Sequence, residues 1–279
     1  TDWLPPQKGR IWTRWLQKLL SLVLQGLFES SLRASNAREV KLNRSELEQM
    51  CAQVPPAPDA YSALRPSEQI KLIAEIKRRS PSKGFLAEIP DARALGLGYE
   101  ASGAHAISVL TEETGFGGRL ADLSEVSEAV KIPTLRKDFI SNEYQILEAK
   151  ASGASMVLLI LAQLDRSEFV ELFEFARLQG LEPLVETHSS SEIEMAGESG
   201  ARLIGINTRD LVTFNTDIGL FETLAKELPD SCVKIAESSV KELDDVKRYR
   251  AAGADCVLVG EALVTGDWAT LIPEFTAVS

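Results

Sequence analysis

Histidine and cysteine are scarce in this chain, with two and three copies in 279 residues, and that scarcity excludes several chemistries. Cys51, Cys232 and Cys256 are odd in number and show no Cys-x-x-Cys spacing, so a disulfide framework and a structural zinc site are not expected. Two of these cysteines sit beside apolar strand-like residues, which predicts buried reduced thiols and a reducing, cytoplasmic setting. Basic charge is in deficit: 30 Lys and Arg against 41 Asp and Glu leave a net charge of −11, which speaks against a nucleic-acid partner. One small anion can still be held by a local cluster of Lys, Arg and backbone N–H groups. No Gly-x-Gly-x-x-Gly follows an apolar run, so a dinucleotide fold loses its main support. No run reaches the ~18 apolar residues that a membrane span requires.

The N-terminal stretch is the ambiguous one. Lys8, Arg10, Arg14 and Lys18 precede an apolar run from Leu19 to Leu24, an order that superficially resembles a signal peptide. Yet Ile11, Trp12, Trp15, Leu16, Leu19, Leu20, Val23, Leu24, Leu27 and Phe28 recur in pairs every four residues, which places them on one stripe of a helix. An amphipathic helix is the favoured reading, because no clear small-residue cleavage site follows. The basic, Trp-bearing face leaves attachment to a membrane surface open, although no membrane partner is expected. Pro55, Pro56, Pro58 and Pro66 mark residues 51–69 as a linker. The expected division is a helical extension over 1–50, packing on a catalytic domain over 51–279.

Within that domain the chain repeats itself. Gly103, Gly153, Gly200 and Gly253 lie 50, 47 and 53 residues apart, each followed by Ala and then by a short apolar run. Each glycine is expected to end a helix in the left-handed conformation before a buried strand begins. Those strands are Ala106 to Leu110, Met156 to Leu161, Leu203 to Ile206 and Cys256 to Val259. Four more alternate with them: Leu72 to Ile76, Thr134 to Arg136, Leu184 to Glu186 and Val233 to Glu237. Helical stretches such as Glu143 to Ser152, Ser167 to Gln179 and Val240 to Ala252 lie between. An open doubly wound sheet would also alternate strand and helix. The count of eight and the even spacing favour an α/β fold of the closed (β/α)8 TIM-barrel type with an N-terminal helical extension.

In such a barrel the C-terminal ends of the strands share one mouth, and here those ends are too polar for packing alone. Strand 1 runs out through Glu75, Lys77, Ser80 and Lys83, and strand 2 through Glu112 towards Phe116. Strand 3 ends in Lys137, Asp138 and Phe139. Strand 5 carries Glu186 and His188, and strand 6 carries Asn207, Arg209 and Asp210. Strands 7 and 8 end in Glu237-Ser238-Ser239 and Gly260-Glu261. Glu75 and Lys77 share strand parity, so both should face inward. Any one of these charges taken alone is as well explained by a structural ion pair at the rim. Five strands contributing at once are not.

At this point the chain resembles a known family. Ile73 to Gly84, Ser108 to Glu112, Leu135 to Ile140, Leu184 to Glu186, Ile204 to Asn207 and Ala236 to Ser238 match the indole-3-glycerol phosphate synthases in order and spacing. The similarity covers roughly Arg38 to the C-terminus. It implies ring closure, decarboxylation and dehydration of a phosphorylated anthranilate derivative in tryptophan biosynthesis, with no cofactor and no metal. By the resemblance, Lys137 is a general acid and Glu186 the carboxylate that assists proton removal and loss of water. Glu75 supports the proton transfers, Lys77 pairs with anionic groups of the substrate, and Asn207 binds a substrate hydroxyl or positions Glu186. Arg209 and Glu237 hold the polar network, and Phe116 and Phe139 are the aromatic walls or ordinary core residues. Phosphate contacts are expected from Ser80 and from backbone N–H groups around Ser238, Ser239, Gly260 and Glu261.

Two departures stand out. The family usually has Glu-Ser-Gly where this chain has Glu237-Ser238-Ser239. Glycine reaches positive φ more easily than serine, so Ser239 either compensates through its hydroxyl or weakens the phosphate site. Trp3, Trp12 and Trp15 lie ahead of the matching portion, in a stretch that the sequence leaves unassigned between an extended lid, an oligomer contact and an added, non-native segment. The resemblance also admits association with other tryptophan-pathway enzymes. Rival readings are a Schiff-base aldolase with Lys137 as nucleophile, and a catalytically impaired phosphate-binding scaffold.

Overall fold

The computed structural model describes residues 25–210 and 215–279. The apolar runs form eight parallel strands: β1 (Lys71–Ile76), β2 (Ala106–Leu110), β3 (Thr134–Lys137), β4 (Met156–Ile160), β5 (Glu182–Thr187), β6 (Leu203–Asn207), β7 (Val233–Glu237) and β8 (Cys256–Val259). Each pairs with its sequence neighbours, and β8 pairs with β1 to close the barrel. The closed (β/α)8 barrel is therefore present. Several strands run slightly past the expected bounds, β2, β7 and β8 match them, and β4 stops one residue short at Ile160. β3 includes Lys137, and β5 starts ahead of Pro183, near the strand's beginning where a missing N–H is tolerated.

Alternation along each strand divides the core in two. Ile73, Leu135, Leu184, Leu203, Ile235 and Leu258 point into the barrel, whereas Leu72, Ala74, Val185, Ile204 and Val257 point out to the helices. Gly103, Gly153, Gly200 and Gly253 all have positive φ, as their place at helix ends requires. All three cysteines are buried free thiols.

Six residues of the expected linker, Asp59 to Leu64, are more than idle chain. Asp59 caps a short helix at Ala60–Leu64, with its side chain accepting from the Ser62 N–H. Ala60 and Leu64 join the inner core, and Arg202, just before β6, stacks over Tyr61 at 4.7 Å. This helix plugs the N-terminal end of the barrel. At five residues it is too short to show a helical period in the sequence.

Residues 25–39 form a helix, here α1, followed by α2 (Arg44–Cys51). Ser31 Oγ on α1 donates to Asp138 Oδ1 at 2.6 Å, and Arg38 Nη2 reaches Glu148 Oε2 at 3.0 Å. Asp138 and Glu148 in turn hold the fully buried Arg136, at 3.0 and 3.1 Å. The extension is thus tied to the end of β3 by a satisfied buried network, which is the condition for burying such charges. Trp3, Trp12 and Trp15, and the apolar stripe from Ile11 to Leu24, lie outside the described residues.

Candidate active site at the barrel mouth

The alternation that fills the barrel continues upward with polar residues. Glu75 follows Ile73, Lys137 follows Leu135, Glu186 follows Leu184 and Glu237 follows Ile235, each two positions on and therefore on the inner face. The register sets Asn207 opposite Glu237 and Glu186 opposite Gly205. The residues given a catalytic or substrate-binding role in the sequence, from Glu75 to Glu261, border one cavity of about 370 Å³, whereas Glu112, His188 and Asp210 do not.

Lys137 is its centre. Its Nζ lies 3.0 Å from Glu237 Oε2 and 3.4 Å from Glu186 Oε2. Burial would push the ammonium's pKa down, but Glu237, Glu186 and Glu75 more than offset it, and the net direction is up. The two carboxylates around it diverge. Burial raises Glu237 to about 7 despite Lys137, with Glu186 adding repulsion. Glu186 suffers the same burial, yet Lys137, His188 and the Asn207 amide together lower it. Asn207 Nδ2 donates to Glu186 Oε1 at 3.0 Å, the contact that a positioning role requires. At the end of β1, Lys77 Nζ pairs with Glu75 Oε1 at 2.7 Å. Room for these groups comes from two glycines. A β-carbon at Gly205 would overlap Glu237 Oε1, and one at Gly260 would overlap Glu75 Oε1.

The cavity has two characters. Leu110, Phe116, Phe139, Leu158 and Ile160 line the side formed by β2 to β4, and Leu27 of α1 covers them. The rings of Phe116 and Phe139 are 6.2 Å apart, and Phe28 of α1 meets Phe139 edge-on at 4.9 Å. The opposite side, from β6 to β8 and β1, carries Asn207, Arg209, Ser238, Ser239, Gly260, Ser80 and Lys83. This is a cleft built for a molecule with an aromatic end and an anionic end.

A family model for indole-3-glycerol phosphate synthase matches residues 24–274. The chain belongs to that family. The indole-3-glycerol phosphate synthases are carbon–carbon carboxy-lyases of tryptophan biosynthesis, and the relatives agree. The indole-3-glycerol phosphate synthase of Leifsonia xyli is 52% identical over 227 residues, covering 81% of this chain and 87% of that protein. That of Streptomyces griseus is 51% identical over 229 residues, covering 82% and 85%. Two solved structures share the fold alone. 3-Hexulose-6-phosphate synthase from Salmonella typhimurium has a TM-score of 0.60 at 16% identity, over 75% of this chain and 97% of that one. Thiamine phosphate pyrophosphorylase from Pyrococcus furiosus has a TM-score of 0.55 at 15% identity, over 74% and 93%.

Against the pattern usual in the indole-3-glycerol phosphate synthases, the Ser238-Ser239 turn is the departure. Both residues are left-handed, at φ 70° and 64°. The turn also delays the following helix, which starts at Leu243 rather than Val240. Ser238 Oγ donates to Asn207 Oδ1 at 2.8 Å, and the Arg209 N–H donates to the same oxygen at 3.0 Å. Ser239 Oγ lies 2.7 Å from Thr208 Oγ1. Glu261 faces the cavity but its carboxylate is paired with Lys83. Towards an anion it therefore has only its N–H to offer. His188 sits behind Glu186, at 3.5 Å, and does not border the cavity. Leu27, Ser82, Lys83 and Lys241 border it without having been singled out as site residues. Lys83 was visible in the first-strand signature, and Leu27 in the apolar stripe of the leading helix.

Proposed function

We propose that this cavity converts 1-(2-carboxyphenylamino)-1-deoxyribulose 5-phosphate into indole-3-glycerol phosphate, releasing carbon dioxide and water. The observation that carries the reading is Lys137 held between Glu186 and Glu237 at the junction of the aromatic and anionic sides. The anthranilate ring lies against Phe116 and Phe139, and its carboxylate faces Lys77. The phosphate lies towards Ser80 and the backbone N–H groups after β7 and β8, the usual anion cradle of such barrels.

The ring carbon bearing the carboxylate attacks the ribulose-derived carbonyl, and Lys137 gives its proton to the oxygen that becomes a hydroxyl. Carbon dioxide then leaves, returning its bonding electrons to the ring. Loss of the new hydroxyl as water, with removal of a proton from the adjacent carbon by Glu186, completes the indole. Glu75 relays protons and orients Lys77, and Asn207 holds Glu186 in place. Lys137, surrounded by carboxylates that favour its ammonium form, suits proton donation rather than attack on a carbonyl. That argues against the Schiff-base aldolase. The partner is thus a small phosphorylated substrate, and the setting a cytoplasmic biosynthetic one.

The test is the indole fluorescence that appears when purified protein meets the synthetic substrate. A steady rise is expected, and borohydride added during turnover should leave no substrate covalently attached to Lys137. No fluorescence from folded protein, or a trapped adduct, would refute the assignment.

A further inference from the structure

Two consecutive residues other than glycine in the left-handed region need something to hold them there, because their β-carbons crowd the backbone. The restraint comes from below the turn. Thr208, buried just past the end of β6, donates its hydroxyl to the Glu237 carbonyl at 3.0 Å. Thr208 Oγ1 also lies 2.7 Å from Ser239 Oγ and 2.9 Å from the hydroxyl of Tyr249. Tyr249, from the helix Leu243–Ala251, also donates to the Ser238 carbonyl at 3.2 Å. Thr208 and Tyr249 do not border the cavity. They nevertheless bind the main chain of the turn at two successive carbonyls and its second side chain.

Hydrogen counting sharpens this. Thr208 and Tyr249 have one hydroxyl proton each, and giving these to the Glu237 and Ser238 carbonyls leaves the Thr208 oxygen to accept from Ser239. Ser239 then has no hydroxyl proton for a phosphate. Its contribution to the anion is the placement of the turn's N–H groups.

We propose that Thr208 and Tyr249 are positioning residues that hold the Ser238-Ser239 turn left-handed, and so set the affinity for the phosphate end of the substrate. The proposal rests on the synthase reading for the identity of that substrate. Serine is accepted where the family usually has glycine because these two hydroxyls replace glycine's freedom with a tether.

The test uses the full chain carrying Thr208→Val, which keeps the shape and removes the hub. Steady-state kinetics should show KM for the substrate raised about five- to tenfold with kcat within about twofold, the scale of one lost hydrogen bond. Calorimetric titration with inorganic phosphate should show the same loss of affinity. Thr208→Ser should restore both values. Adding Ser239→Gly to Thr208→Val should recover most of the affinity, since glycine needs no tether. Tyr249→Phe should act in the same direction and serves if Thr208→Val does not fold. Unchanged KM and phosphate affinity in both single variants, or a fall in kcat without a change in KM, overturns the proposal. Phosphate titration does not depend on turnover. An inactive wild type that binds phosphate, and binds it more weakly as Thr208→Val, would refute the synthase reading while supporting the tether.

Discussion

The lower and upper layers of the barrel interior obey one geometry and carry opposite chemistry. Below, Ile73, Leu135, Leu184, Leu203, Val233 and Ile235 fill the barrel with hydrocarbon. Above, on the same inward face, stand Glu75, Lys77, Lys137, Glu186 and Glu237. The lower layers gain stability from burial, at about 25 cal/mol per Å² of apolar surface. The upper layer holds charges whose desolvation is only offset by close pairing. The difference teaches that stability and activity are separable by depth in this fold, and the two should respond to different substitutions.

The largest effect is expected at the top. Lys137→Ala should lower kcat by at least ~100-fold in the fluorescence assay, the scale of a lost general acid. Circular dichroism should still show a folded barrel, because Glu237 is already displaced towards its neutral form and can take up a proton when its partner is gone. Turnover near that of the unsubstituted chain would end the contrast. At the bottom, Ile235→Ala should cost about 2–5 kcal/mol of stability through the cavity it leaves. Its kcat per folded molecule should stay within about twofold. Loss of kcat with normal stability would show that the layers are not separable.

How much of this was legible beforehand follows the same division. The strands could be read because their apolar runs and the four spaced glycines are local signals, and strand ends in a barrel converge whatever the details. Lys137, Glu186 and Glu237 could therefore be assigned to one mouth before their distances were known. Leu27 could be seen on a helical stripe, but which barrel strands that stripe covers is a tertiary fact. The helix at Ala60–Leu64 hid among prolines. Ser239 was visible as a departure, whereas its tether to Thr208 and Tyr249 joins three elements far apart in sequence. Least legible was the splitting of Glu186 from Glu237. It depends on Asn207 and His188 standing beside one carboxylate and on Gly205 leaving the other in a dry gap.

That splitting makes a smaller, pH-dependent prediction. Glu237 is raised from an ordinary 4.5 to about 7, so the folded state holds its proton more tightly than the unfolded chain does. Its contribution to stability is complete below about 4.5 and is lost as pH rises through about 7. Glu186, lowered, acts oppositely and loses its contribution as pH falls. Thermal melts of the unsubstituted chain and of Glu237→Gln, which mimics the protonated acid, should therefore separate between pH 5 and 8, the unsubstituted chain losing stability relative to the variant as pH rises. The change is on the order of 1–3 kcal/mol, or a few degrees in Tm. Parallel curves would mean that Glu237 is ionised throughout and that the pair shares Lys137 evenly.

The mildest test concerns a wall of the cavity that the barrel does not supply. Ser31 and Leu27 lie one turn apart on α1, so the hydrogen bond from Ser31 to Asp138 fixes the face that carries Leu27 over the aromatic side. Ser31→Ala leaves Asp138 with the Phe139 N–H, the Thr111 hydroxyl and Arg136 as donors. The carboxylate remains satisfied, and the loss should be only about 1 kcal/mol. Because that loss falls on the attachment of α1 and not on the barrel, it should appear as faster amide exchange confined to residues 25–39. KM should rise about two- to fivefold with kcat little changed, in keeping with one weakened hydrogen bond. Faster exchange spread through the strands would instead make α1 part of the barrel's own stability, and the cavity's cover inseparable from its frame.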